Sequence, residues 1–309
     1  MFGKRTVVDM INRSAENDAD RRNFLRTAGI AGLGVVGAGT ASGMLGSAAS
    51  AAPSDAAVLN FALNLEYLEA EFYSHAVFGR GLDPALTTGK GDRGPVIGGR
   101  KVDFKSRVIK NYALEIAQDE IAHVKFLRSA LGSAKVSRPK INIKHSFTAA
   151  AQAAGLIGSS QTFDPYANED NFLLGAYIFE DVGVTAYKAA APLIDNKAYL
   201  EAAAGILAAE AYHAATIRTS LYERKFYEAA RKISNARDSL DGKANRDQGV
   251  GNRTKANILP ADGNGIAYSR GPAQVLNVVY LTADRAKRGG FFPDGVNGQV
   301  NTSSRRASA

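Results

Sequence analysis

The sequence predicts an all-α protein: a four-helix bundle made of two helical hairpins joined by a long crossover, followed by a mostly irregular C-terminal extension. Three observations point there. Four long segments repeat apolar residues at the spacing of one helix face. Stretches rich in glycine, proline and polar residues separate them. One glutamate in each segment falls on the apolar stripe instead of the polar face. With 309 residues and 45% hydrophobic content, the chain can bury one sizeable core or two smaller ones.

The first helix is expected from about Asp55 to Phe78, with Leu59, Leu63, Glu66, Ala70, Tyr73 and Val77 on one stripe. Residues 79–102, rich in glycine and charge, read as a long loop. The second helix is expected from about Asp103 to Leu131, aligning Ile109, Ala113, Ile116, Glu120, His123, Leu127 and Ala130. Residues 132–167 are long enough to cross the bundle. A third helix spans about Asn168 to Ala191 and is stopped by Pro192, because proline cannot continue a helix. The fourth starts near Lys197 and runs past Leu221, aligning Ala203, Ile206, Glu210, His213, Ile217 and Leu221. Only a few residues around Leu193–Asn196 join the third and fourth, so these two should be antiparallel neighbours. The order hairpin, crossover, hairpin reads as an internal duplication.

Past residue 235 the periodicity fades, so the bundle is assigned to 52–235 and a basic extension packing on it to 236–309. Residues 238–269 are polar and suit an extended loop. The apolar stretch Gln274–Tyr280 suits a short helix packing back on the bundle. Residues Asn301–Ala309 are expected to be disordered.

Residues 1–51 read as an address. Asp20-Arg21-Arg22-Asn23-Phe24-Leu25-Arg26 carries the twin-arginine export pattern, followed by a Gly/Ala-rich, weakly apolar run and a small-residue cleavage site at Ala49-Ser50-Ala51. The expected partner is the twin-arginine translocase and the expected location the periplasm or cell envelope, with the segment either cleaved or kept as an anchor. Export by this route suits a protein folded before transport.

There is no cysteine, which excludes disulfides, thiolate metal sites and cysteine nucleophiles. Any metal must be held by oxygen and nitrogen. The net charge of +8 is unevenly placed: residues 52–223 carry 17 Lys/Arg against 19 Asp/Glu, residues 224–309 carry 15 against 7. The basic character therefore belongs to the C-terminal third, as a solvated surface or as a contact for an anionic envelope polymer. Export argues against nucleic acid as a partner.

The chemistry lies in four elements in alternating order: Glu66 with Tyr73, Glu120 with His123, Glu180 with Tyr187, and Glu210 with His213. Positions three apart share a helix face, so each Glu-x-x-His pair presents an oxygen and a nitrogen inward. Four carboxylates and two imidazoles, one carboxylate per helix, form the ligand set of a two-metal site in a bundle core. Four carboxylates carry about −4, which two divalent ions neutralise; without metal, that charge in a low-dielectric core takes up protons or draws in water. Tyr73 and Tyr187 lie two turns beyond Glu66 and Glu180 and are expected to point back toward those glutamates and hydrogen-bond ligand carboxylates. Glu69 rivals Glu66, because the stripe Val58, Ala62, Leu65, Glu69, Phe72 is nearly as good; the tyrosine spacing favours Glu66. Glu115 and Asp181 are expected to face solvent, and Glu71 with His75 to form an exposed pair.

At these residues the chain resembles the ferritin-like superfamily, whose ligand pattern is one Glu, Glu-x-x-His, one Glu, Glu-x-x-His, with a Tyr two turns after the first Glu. Glu66, Glu120, His123, Glu180, Glu210 and His213 match it position by position. More narrowly, the run Leu59–Tyr73, the stretch Gln274–Tyr280 and Gly290-Phe291-Phe292-Pro293 resemble the bacterial ferritin-like domain family that includes the plant desiccation-related proteins. The resemblance implies the fold more strongly than the reaction. It implies two metal ions, iron first and manganese next, reacting with dioxygen or hydrogen peroxide in protection against oxidative or drying stress. The alternative is a non-catalytic envelope scaffold that binds through its basic C-terminal region. A 24-subunit shell is not expected with so long an extension; a homodimer is.

Overall fold

A computed structural model describes residues 53–305. The segment expected to be an export signal, residues 1–51, lies outside the described residues. The four expected helices are present. Helix α1 is Asp55–Phe78, α2 is Arg107–Leu131, α4 is Glu169–Ala190 and α5 is Lys197–Glu223, with a short α3, His145–Ala153, inside the crossover. Their ends follow local chemistry. Ser54, Ser106, Asn168 and Asn196 each accept a hydrogen bond from a backbone N–H of the first turn, satisfying donors that the helix itself cannot. Gly79 ends α1 in the left-handed conformation, φ 70°, which a glycine adopts without steric penalty.

Helices α1 and α2 form one hairpin, α4 and α5 the other, and α1 packs on α4 while α2 packs on α5. The two hairpins differ from simple amphipathic design in a systematic way. In α1 every residue from Ala57 to Ser74 is buried, and in α4 every residue from Phe172 to Gly183. In α2 and α5 one face is buried and the other solvated. Helices buried all round need cover on every side, and the long connections supply it. Asn60 Nδ2 donates to Ala134 O (3.0 Å) and Val136 N donates to Asn60 Oδ1 (2.8 Å). Asn64 exchanges two bonds with Asn297, at 2.9 and 3.0 Å. The first long loop and the crossover meet as two parallel two-residue strands, β1 (Val96–Ile97) and β2 (Ile141–Asn142).

The same cover corrects two expectations. Glu71 and His75 are not an exposed pair: Glu71 is fully buried, paired with Arg138 and accepting from Leu82 N at 3.2 Å. Asp181 does not face solvent. It is buried and accepts from Arg218 Nη1 (2.7 Å) and Arg237 Nη2 (2.8 Å). Arg237 continues to Asp247 (2.5 Å), and Arg270 joins Asp247 to Asp241. Glu115 is exposed.

This chain of buried ion pairs ties the C-terminal extension to the bundle. A further helix, α6 (Tyr227–Leu240), straddles the boundary placed at residue 235. Its buried face is Ala230, Ile233, Ser234 and Arg237, two of them polar, so an apolar stripe does not mark it. Helix α7, Pro272–Val279, packs on α4 and α6. Phe291 closes against Phe147 and Phe179, ring centroids 5.1 and 4.9 Å apart. The tail expected to be disordered is held down over Asn301–Arg305: Ser303 N donates to Ala286 O (2.8 Å) and Ser304 Oγ to Asn277 Oδ1 (2.6 Å). Residues 306–309 lie outside the described residues.

Candidate metal centre

Six side chains from four helices converge in the middle of the bundle: Glu66 from α1, Glu120 and His123 from α2, Glu180 from α4, Glu210 and His213 from α5. They form two overlapping groups, Glu66–Glu120–His123–Glu210 and Glu120–Glu180–His213, with Glu120 in both. His123 Nδ1 lies 3.2 Å from Glu66, 3.6 Å from Glu120 and 3.8 Å from Glu210. His213 Nδ1 lies 3.1 Å from Glu120 and 3.7 Å from Glu180. The imidazole rings are 6.2 Å apart, centroid to centroid. Both histidines thus turn Nδ1 inward, one in each group.

Glu66, and not Glu69, stands with His123. Glu69 lies one turn further on. It is a fifth buried carboxylate, within electrostatic reach of Glu66, Glu120, Glu180 and Glu210.

The tyrosines are arranged differently from the expectation. Tyr73 donates to Glu180, and Tyr187 donates to Glu66, each on the opposite hairpin. The reason is geometric. Glutamate and tyrosine on one helix both lean toward its N-terminus, so seven residues keep them about 10 Å apart along the axis. Antiparallel packing of α1 on α4 instead brings each phenol level with the other helix's glutamate. Burial, then the adjacent carboxylate, pushes both phenols well above their ordinary pKa, so both remain donors.

The electrostatics describe a site built for cations. Burial raises Glu180 to about 8, and His213 only partly offsets this. Burial likewise raises Glu66 to about 7 against the pull of His123. Burial and the surrounding carboxylates push Glu69 and Glu210 well above the ordinary range. Burial would raise Glu120 as well, but the close approach and positive charge of both histidines win and hold it at about 2. His123 and His213 are driven the other way: the neighbouring carboxylates overcome burial and raise them to about 11 and 9. Without metal, five carboxylates buried together call for protons on several of them and on both imidazoles.

Among the described residues several oxygens have no well-aligned hydrogen-bond partner: both of Glu120, both of Glu210 and Oε2 of Glu180, together with Nδ1 of His213. Buried polar atoms without partners are costly and rare. Here they all aim at the same small volume. The residues therefore fit two cations, with oxygen and nitrogen donors suited to iron or manganese.

Two contributors carried no sequence signal strong enough to single out. Asp119 takes the outer nitrogen of His213, Nε2 at 3.1 Å, which fixes the ring with Nδ1 inward. Gly183 lies in the interior of α4, where a Cβ would sit 2.2 Å from Glu210 Oε2. Glycine inside a helix is unfavourable by about 1 kcal/mol relative to alanine, and that mismatch is its only trace in the sequence.

Comparison with known proteins follows the same lines. The ferritin-like domain family matches residues 54–223, a span that holds all six convergent residues. The chain is 33% identical over 268 residues to the desiccation-related protein PCC13-62 of Craterostigma plantagineum, covering 80% of this chain and 84% of that one. It is 31% identical over 268 residues to the ferritin-like catalase Nec2 of Nesocodon mauritianus, with the same coverage. No solved structure matches significantly.

Proposed function

Because the chain belongs to the ferritin-like domain family, within the group that includes the plant desiccation-related proteins, we propose that it is an exported di-metal carboxylate protein that consumes hydrogen peroxide. One observation carries the reading: six ligand-type side chains converge from four helices, and three of the carboxylates leave oxygens without a well-aligned hydrogen-bond partner among the described residues. Iron is the first choice of metal and manganese the second. The reaction is disproportionation, in which two molecules of peroxide give dioxygen and two of water; oxidation of Fe(II) by dioxygen or peroxide is the related outcome at the same site. The name of the Nesocodon relative supports the first, and the Craterostigma relative supports a role in stress protection.

A bound pair of metal ions supplies two-electron exchange with peroxide. The chain's own residues prepare the place. Glu120 belongs to both groups and would help to hold both ions. Tyr73 and Tyr187 hold Glu180 and Glu66 in single orientations across the hairpin interface. Asp119 holds His213. The glutamate side chains are 0–1% exposed and the imidazoles 12% and 7%, so bulk water is excluded. Glu69 adds a further buried carboxyl beside the site, pushed above the ordinary range by burial and its carboxylate neighbours.

The envelope-scaffold alternative rests on the basic C-terminal third alone, and Arg237 and Arg270 of that segment are buried in internal ion pairs. Protein purified from its native compartment decides between the readings. About two iron or manganese ions per chain, peroxide turnover, and loss of at least one metal in His123→Ala or Glu210→Ala support the proposal. A metal-free, peroxide-inert protein overturns it.

A further inference from the structure

On the outward side of the α1–α2 hairpin a cleft of about 740 Å³ opens between the C-terminal half of α1, the middle of α2 and the loop that follows α1. Ser74 and Ile121 form part of its lining, next in sequence to Tyr73 and Glu120. The two helix turns that face the metal centre on one side therefore face this cleft on the other. Phe78, Leu82 and Leu86 add apolar surface.

Three features mark the cleft as a built site and not a mere dent. First, Ser74 is 1% exposed, yet its hydroxyl has no hydrogen-bond partner among the described residues. A buried hydroxyl left so is costly and calls for a ligand atom or a water. Second, Arg80 and Lys125 lie at the exposed rim with no ion pair among the described residues. The one acidic residue lining the cleft, Asp83, accepts from Ala85 N (2.8 Å) to cap the following turn, so the rim carries a net positive charge. Third, the loop is pinned. Leu82 N donates to buried Glu71 (3.2 Å), and Gly81 lies so close over that carboxylate that a Cβ would meet it at 2.3 Å. The wall is thus preformed, as small-molecule sites usually are.

We propose that this cleft binds a small organic anion with an apolar body, of the aryl or short-chain carboxylate class. The body lies against Phe78, Leu82, Leu86 and Ile121. Its carboxylate meets Arg80 and Lys125 at the rim. The cleft's volume of about 740 Å³ is in the range of small-molecule sites, so the occupant is small. A neutral ligand would leave both rim cations unmatched.

The probe is 2-naphthoate, titrated into the full chain and followed by its own fluorescence. The protein has no tryptophan, so the probe's emission is read without that overlap. Saturable binding of one probe per chain is expected. The double substitution Arg80→Ala with Lys125→Ala should weaken it about tenfold or more, through loss of charge-assisted contacts. 2-Naphthalenemethanol, the uncharged analogue, should bind at least about tenfold more weakly to the unaltered chain for the same reason. Both substituted residues are exposed and lie outside the metal groups, so metal content stays unchanged in the variant; a metal-free preparation that still binds the probe separates this proposal from the preceding one. Non-saturable binding, equal binding by the double variant, or equal binding of the alcohol overturns it.

Discussion

Replacing Gly183 with alanine separates the metal centre from the fold that carries it. Gly183 is in the interior of α4, where alanine is preferred by about 1 kcal/mol on backbone grounds alone. The new methyl would stand 2.2 Å from Glu210 Oε2 and 3.1 Å from its Cδ, while Glu69 Oε1, at 3.5 Å, is in ordinary contact. Glu210 must therefore retreat by about 1 Å to regain normal separation. The end of a flexible side chain can do so without disturbing the helices, so the displacement falls on the ligand position. Metal sites tolerate ligand errors of only about 0.5 Å, and disturbing the groups that hold a ligand typically weakens binding by about 10- to 100-fold. The expected result has opposite signs in two assays. Chelator-stripped Gly183→Ala protein should melt about 2–4 °C higher than the parent, for a gain of about 1 kcal/mol in a domain of this size. Its metal affinity should fall by about 10- to 100-fold, read by competition with a calibrated chelator. Unchanged affinity and metal count would show that the carboxylate of Glu210 is not needed where the structure places it. A loss of stability in the stripped protein would show that Gly183 serves helix packing instead.

Further predictions concern protons and the residues that hold the ligands. Glu180, at about 8 in the fold against 4.5 unfolded, keeps its proton only when folded, so the metal-free protein loses stability as pH rises through that interval, by on the order of 5 kcal/mol from this group. His123 and His213 act with the same sign: their contribution is full below 6.5 and fades as pH rises through about 11 and 9. At pH 5 metal displaces about five protons, from Glu66, Glu180, Glu210 and the two histidines, so its affinity rises with pH and the melting gap between loaded and stripped protein widens from pH 5 to 9. Calorimetry across that range checks this, and a pH-independent gap contradicts it. Tyr187→Phe and Tyr73→Phe each strip a buried carboxylate of its donor and should cost the metal-free protein about 1–3 kcal/mol; denaturant titration that finds either substitution neutral would remove the phenols from the account. Asp119→Ala should weaken metal binding about 10- to 100-fold by releasing His213, while Glu115→Ala, exposed on the same helix, leaves it unchanged. Equal metal affinity in the two variants would contradict that role for Asp119.

The four bundle helices, their order and most of their ends were legible in the sequence because their causes are local. Ser54, Asn168 and Asn196 cap helices through bonds to their own first turns, and Pro192 stops one. The ligand-type residues were legible for a related reason: a glutamate on an apolar stripe is out of place unless something in the core receives it. What escaped depends on partners far along the chain. Asp181 looked solvent-facing because only the arrival of Arg218 and Arg237 makes its burial tolerable. Glu71 and His75 looked exposed because their cover comes from Arg138 and the loop at Gly81 and Gly99. Helix α6 buries Ser234 and Arg237, so it lacks an apolar stripe to announce it. The tyrosines were placed correctly along their helices but paired with the wrong glutamates, since intrahelical spacing says nothing of what the neighbouring antiparallel helix brings level.

The most direct test of the central claim is an anomalous-scattering map at the iron and manganese edges, from crystals of protein isolated from its native compartment, together with elemental analysis of the same preparation. Two peaks per chain are expected, one among Glu66, Glu120, His123 and Glu210 and one among Glu120, Glu180 and His213. Density without a peak in either group, with those glutamates hydrogen-bonded to one another through protons or waters, would contradict it.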